Sequence, residues 1–534
     1  MALLRKWNIG GGSNDENGIE NILPGMSEKI QQDLERVPPL QVLDFLLQYF
    51  INELNWMKQI VHRPSFVAQY QQWCSKAKPL SVVRDVEFTV LILRICAYSA
   101  QFLPSPSETI DRIGGLSLCS IRKLCSELGE SLAETCLTLD WKGSVIRVQH
   151  VLFAALISSC EGKTGEFWER IGLAGQAAQK AGLEAEIPAS GAIPGQDWET
   201  ETRSRLDRVP FLSDNLVARM MASLRLIPEP VGSTAADASA PDEFMVRLMQ
   251  VQLGRFWRSC WPNRSEQYDP TQGEHRYERF CTEYLPTLTP AFALEPDTRW
   301  DKHFPKLSMQ RQLLHIAIFD SVCWNFRPLL LLTAAQLAGL PAYKRVLIQS
   351  QRERLATAAL RELEAVSALH SMFGGSQIRS SAIIFNTFEA AVLLLCLSSQ
   401  TEDSQFCQEE DGTEILGVRT ARPSRAQMMQ AVETALRRLK MLSEVSEMAA
   451  SGTKVVGELL NQGARDAALP PTTGSSSGSG WPGTVSNLLG TNFDSDMWIS
   501  SDESHENLMN ELLSNIGNQE SGPEFQFPYN YAMP

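Results

Sequence analysis

Apolar residues recur at helical intervals along most of this chain. Leu40, Leu43, Leu46, Leu47, Phe50 and Leu54 follow a Pro-Pro start at spacings of three and four, which predicts an amphipathic helix with one apolar face. The same period predicts helices over 85–102 and 145–159, and on the segment presenting Trp168, Ile171, Ala174, Ala178 and Ala181. A helix over 201–226 should be kinked or split by Pro210, which lacks the N–H a helix interior needs. Further helices are expected over 242–259, 309–335, 343–370, 380–397 and 424–441. The last opens with Ser424-x-x-Gln427, the spacing of a capping box. No stretch alternates apolar and polar residues between hairpin turns, so the predicted class is all-α.

Between these segments, 186–197, 231–241 and 402–422 are rich in Gly, Pro, Ala or acids and are expected as loops. Residues 1–35 are polar and Gly/Asn/Asp/Glu-rich, a composition too poor in apolar groups to offset ordering entropy, and a flexible N-terminus is expected. Order is expected to end after Gly463, where Pro470 to Gly480 has linker composition. The expected division is therefore 1–35 flexible, 36–455 helical, 456–483 linker, and 484–534 a tail of different character.

Charge sharpens that division. Hydrophobic residues make up 43% and charged residues 21%, enough to bury a core, and the formal net charge is −14. Residues 466–534 contain nine acids and no Lys or Arg, leaving 53 acids against 48 bases elsewhere. Neither part offers bulk attraction to phosphate, so nucleic-acid binding needs a local device or a partner. Eleven cysteines lie scattered without close pairing, several in apolar helical stretches (Cys96, Cys160, Cys323, Cys396), which suggests free thiols in a reducing compartment. The start has no signal-peptide pattern, and the longest uninterrupted apolar run, Ala390 to Leu397, is too short to span a bilayer. No membrane association is expected.

Candidate enzyme signals lack their context. Gly474 to Gly478 matches Gly-x-Ser-x-Gly, but Pro-Pro-Thr-Thr precedes it where a nucleophile elbow needs a strand. Gly162-Lys163-Thr164 matches only the end of a phosphate-binding loop, since Ile157 stands at the first glycine position and a helix precedes it. The seven histidines form no metal-binding pair, and His315 on an apolar helix face is expected as a core histidine with its polar atoms satisfied. Cys119, Cys125 and Cys136 have the wrong spacing for a thiolate zinc site and are expected as buried helix cysteines. No cofactor or metal ligand set is expected.

One set of motifs resembles a known family. Asn55-Trp56 leading to His62-Arg63-Pro64-Ser65-Phe66 is similar to the opening motif of the fungal-specific transcription factor domain, or middle homology region. Leu91 to Pro104 resembles that family's next helix, and Trp168 to Leu183 its Trp-x-x-x-Gly-x-Ala helix. Glu201-Thr-Arg203-Ser-Arg205 with Phe211 to Asp214 resembles the central motif, and Phe326-Arg327-Pro328-Leu329 the late aromatic-Arg-Pro turn. Together they span roughly residues 35–400 in the family's order. In the central motif, Asp207-Arg208 stands where the family has Trp-Trp, and Asp214-Asn215 where it has Asp-Arg. The family's zinc binuclear cluster needs Cys-x-x-Cys pairs, and none occurs in these 534 residues.

The resemblance implies a multi-helix regulatory domain in a nuclear transcription regulator of a metabolic or biosynthetic gene set. It also implies that Trp56, Pro64 and Phe66 close the first helix against the core. A fully buried Trp56 lost to Ala would cost about 3–5 kcal/mol. Arg203, Arg205 and Arg208 have acidic neighbours Glu199, Glu201 and Asp207, which predicts a salt-bridged helix face before a DNA or partner contact.

The tail interleaves acids with bulky apolar groups, including Phe493, Trp498, Leu512 and Leu513, as disordered activation domains do. Its expected partner is a coactivator or the transcription machinery, a DNA-binding partner or a homodimer being a further candidate; the alternative reading is a non-DNA-binding co-regulator or a helical scaffold protein. The purified chain, having neither cysteine cluster nor basic patch, should bind duplex DNA only non-specifically at physiological salt. Sequence-selective sub-micromolar binding in an anisotropy titration would contradict this.

Overall fold

The computed structural model describes residues 24–468 apart from 76–82, 104–111, 114, 140–143, 182–240, 242–244, 261–267, 376–377, 401–412, 417 and 421. The first half of the described fold comprises α1 (Pro24–Glu35), α2 (Leu40–Tyr49), α3 (Asn55–Lys58), α4 (Arg63–Ser75), α5 (Val83–Ser99), α6 (Leu118–Leu139), α7 (Val145–Cys160) and α8 (Thr164–Lys180). The second comprises α9 (Met245–Cys260), α10 (Pro270–Arg279), α11 (Leu307–Phe326), α12 (Ala334–Gly339), α13 (Ala342–Met372), α14 (Ser381–Gln400), α15 (Arg425–Leu442) and α16 (Glu447–Ala468). The class is all-α, as the spacing predicts. Two short antiparallel ladders accompany the helices: β1 (Arg112–Ile113) with β2 (Leu116–Ser117), and β3 (Thr413–Ile415) with β4 (Val418–Thr420).

Each half is built around one enclosed helix. In α5 every residue from Val86 to Ser99 is buried, because α2, α6 and α7 surround it. A helix buried on all sides tolerates a charge only when that charge is paired. Glu87 accepts hydrogen bonds from Arg147 Nε at 2.7 Å and from Ser144 Oγ at 2.6 Å, which ties α5 to the start of α7. Arg94 donates to His150 O and to Glu130, each at 3.0 Å. The counterpart is α14, packed by α13, α15 and α16. Its length and composition alone would let it cross a bilayer, but most of it is buried inside the protein and Glu389 in its middle pairs with Arg327. That is how a core helix looks.

Several boundaries differ from expectation. Helix α1 starts at Pro24, inside the stretch expected to be flexible, because Ile30 and Leu34 bury against α6 and Asp33 accepts from Ser131 Oγ at 2.6 Å. Tertiary packing supplies what its polar composition lacks. Helix α16 runs through the expected linker boundary at 455, with Val455 and Val456 buried. The single helix expected over 309–335 stops at Phe326; a 3-10 turn follows over Arg327–Leu331, and α12 restarts behind a Thr333–Gln336 capping box. Pro328 explains the break, since its ring and missing N–H cannot continue the helical ladder. The Ser424–Gln427 capping box is present. The segment expected as a loop over 402–422 carries β3 and β4. Cys96, Cys125, Cys136, Cys160, Cys323 and Cys396 are buried as expected, whereas Cys119 is exposed. His315 directs Nε2 to the carbonyl of Ala293 at 3.0 Å, a satisfied core histidine.

The Glu87–Arg147 pair is the clearest load on the first half. Glu87→Ala leaves a guanidinium buried without its carboxylate and should cost about 3–5 kcal/mol in chemical unfolding. Glu127→Ala, which removes an exposed pair with Lys123, should cost under about 1 kcal/mol. Equal effects would contradict this account of the first core.

Candidate functional site at the Asn55–Phe66 turn

The first helix does not run straight into its motif. After Tyr49 it passes through a π-helical turn over Phe50–Leu54 before α3 begins at Asn55. One residue added to a turn rotates everything after it by about 100°. Phe50, Leu54 and Met57 lie in the core, while Trp56 is half-buried. Gln59 then closes α3 in the left-handed conformation, φ 52°, and Asn55 Nδ2 donates to Val61 O at 2.9 Å to fix the turn. Arg63 and Pro64, both exposed, start α4, where a proline costs nothing in the first turn.

Three apolar clusters meet at this turn. Phe66 enters the first-half core, 5.6 Å from the Phe88 ring. Ile60 packs against the small cluster between α7 and α8, the cluster on which Trp168 also lies. Trp56 stacks on Phe373, at the end of α13 in the second half, with centroids 6.3 Å apart, and its indole donates to Glu53 O at 2.7 Å. His62 is half-buried beside them. The expectation that Trp56 is sealed in the first core is therefore corrected: it is a bridge between halves, and the cost of losing it falls below that of a fully enclosed aromatic.

Arg327 and Pro328 occupy a different centre. Arg327 is buried and pairs with Glu389 of α14; Asp320 of α11 and Glu362 of α13 stand close enough to act on the same charges. Burial pushes all three carboxyls up; repulsion from neighbouring carboxylates adds to it at Asp320 and Glu362, held well above the usual range, while Arg327 pulls Glu389 back down. The Cys323 thiol donates to Glu362. Burial also lowers Arg327. Sequence reading pointed to Arg327 and passed over the three acids. Their signal was there: Asp320 and Glu389 are lone charges inside long apolar helical runs.

Arg203, Arg205 and Asp214, with the expected helix over 201–226, lie outside the described residues, as do Phe493, Trp498, Leu512 and Leu513. Among the described residues no cluster of His, Cys, Asp and Glu is arranged to hold a metal ion. The Gly162-Lys163-Thr164 stretch is the α7–α8 connection, in which Lys163 pairs with Glu161 and Glu166.

Turn and charge cluster both serve helix packing among the described residues. The chain belongs to a family of fungal transcription factors. It is 51% identical over 480 residues to transcription factor xilB of Penicillium rubens, covering 85% of this chain and 70% of that one. It is 38% identical over 452 residues to probable transcription factor sol4 of Alternaria solani, covering 81% and 80%. No family model matches the chain. It is a transcription factor and not an enzyme.

The carboxyl cluster sets a pH dependence. Groups raised in the folded state hold protons that the unfolded chain releases above about pH 4. Their contribution is complete below that value and is lost as pH rises through their folded-state values. Glu362→Gln, a neutral isostere, should weaken the fall in melting temperature between about pH 5 and about pH 8, and should melt above wild type at the upper end. A steeper fall would mean that Glu362 is ionised in the fold.

Proposed function

We propose that this transcription factor acts in the nucleus on a metabolic gene set, a biosynthetic cluster in particular, and that residues 484–534 are its activation segment. The carrying observation is the sequence of that segment: eight acids, no Lys or Arg, and apolar groups interleaved with them from Phe493 to Tyr531. Acids keep such groups in water until they fold onto a hydrophobic groove of a coactivator or of the transcription machinery. The family membership supports the transcriptional reading. The gene-cluster role follows from the resemblance to the fungal-specific domain, whose members often serve it. The acidic balance of these residues gives no bulk attraction to phosphate, which favours a DNA-binding partner or a homodimer as the route to DNA.

Fused to an unrelated DNA-binding domain, residues 484–534 should activate a reporter. Replacing Phe493, Trp498, Leu512 and Leu513 together by Ala should abolish activation with the charge untouched. Replacing one or two acids should only weaken it, since exposed charges contribute individually under about 1 kcal/mol. Full activity in the four-residue variant, or none in the wild-type segment, would refute the reading.

A further inference from the structure

The fold leaves its most exposed apolar groups on one stretch of chain. Val346 is 70% exposed and Tyr343 60%, the two highest values for large hydrophobic residues among the described ones. Both stand in the first turns of α13, three residues apart and so on one face. Ala335 and Ala338 of α12 are exposed just before them, and Leu340 and Leu347 are half-buried in the same stretch. Single exposed apolar residues are ordinary, whereas an apolar run over two consecutive helices marks a contact surface.

The charges on this stretch have one sign. Residues 333–352 contain Lys344, Arg345 and Arg352 and no Asp or Glu. Lys344 pairs with Asp269 at 2.8 Å, and Glu353, the next acid along α13, pairs with Arg422 at 2.8 Å. Arg345 stands exposed beside Val346. A second copy brought against this corner would set like charges face to face, whereas an acidic segment would be drawn to it. The C-terminal segment has the complementary chemistry: residues 484–534 hold eight acids and no Lys or Arg. Within them Leu508, Leu512 and Ile516 recur every four residues, with Glu503, Glu506 and Glu511 interleaved. That spacing suits a helix laying one apolar face on a hydrophobic surface.

We propose that α12 and the first turns of α13 form a docking surface for the chain's own C-terminal segment, which lays Leu508, Leu512 and Ile516 on Tyr343 and Val346 with its acids towards Arg345. Residues 469–483, extended at about 3.4 Å each, span about 50 Å, which gives the segment reach to fold back from the end of α16. Docking withholds these apolar groups from any other partner until it is displaced. The contact draws on the segment's chemistry and needs no activating role, so cross-linking and the reporter assay can fail independently.

Photo-cross-linking of the full chain tests the contact. With p-benzoylphenylalanine in exchange for Val346, irradiation should join position 346 to peptides from 484–534 of the same chain, at a yield independent of protein concentration. The same probe in exchange for Leu137, another exposed apolar residue, on α6, should not capture them. Arg345→Glu in the chain probed at 346 should lower the yield about two- to fivefold, the worth of one exposed charge. Leu508→Ala, Leu512→Ala and Ile516→Ala together, which leave the helical fold untouched, should lower it further. Cross-links from 346 to a second copy, capture that rises with concentration, equal capture from 137, an Arg345→Glu yield equal to its parent, or no tail peptide at 346 would overturn the proposal.

Discussion

The path of the chain from Asn55 to Phe66 is the constraint on which the rest depends, because three apolar clusters are keyed into it. Phe66 belongs to the core around α5, Ile60 to the small cluster between α7 and α8, and Trp56 to the contact with α13. A turn with three obligations has little freedom. The left-handed Gln59 and the Asn55 side chain bonded to Val61 O hold it in the one course that meets them all. The π-helical turn before it leads into α3, where Trp56 is half-buried and packs against both cores.

The two halves follow one plan with unequal results. Each has an enclosed apolar helix pierced by a glutamate and answered by an arginine. Glu87 in α5 is fully met by Arg147 and Ser144. Glu389 in α14 shares Arg327 with Asp320 and Glu362, so three carboxyls face one cation in a dry interior. The first arrangement is a fixed ion pair; the second is settled by protons held against the usual range. Stability of the second half is thereby coupled to pH.

The long apolar helices were legible because burial on one or all faces writes itself into spacing: α5, α7, α11, α13, α14 and α15 stand close to where the apolar residues place them. The capping box at Ser424 was readable from four residues. Helix α1 was not, since only Ile30 and Leu34 are buried hydrophobics in it and its partner α6 lies far along the chain. The break at Arg327 should have been read from Pro328, and the apolar run on either side concealed it. Of the family-motif residues, Phe66 is buried in the first core. Trp56 is not, because Phe373, more than 300 residues away, shares its surroundings. The acid cluster was missed for the same reason: its members come from three helices.

The described helices of this fungal transcription factor bury two main hydrophobic cores, one around α5 and one around α14. Calorimetry of the full chain tests that claim most directly. Two cores that close separately predict a van't Hoff enthalpy clearly below the calorimetric one, with Glu87→Ala lowering only the transition of the first half. A single two-state transition in which the two enthalpies agree, shifted as a whole by Glu87→Ala, would show one indivisible core and contradict the account.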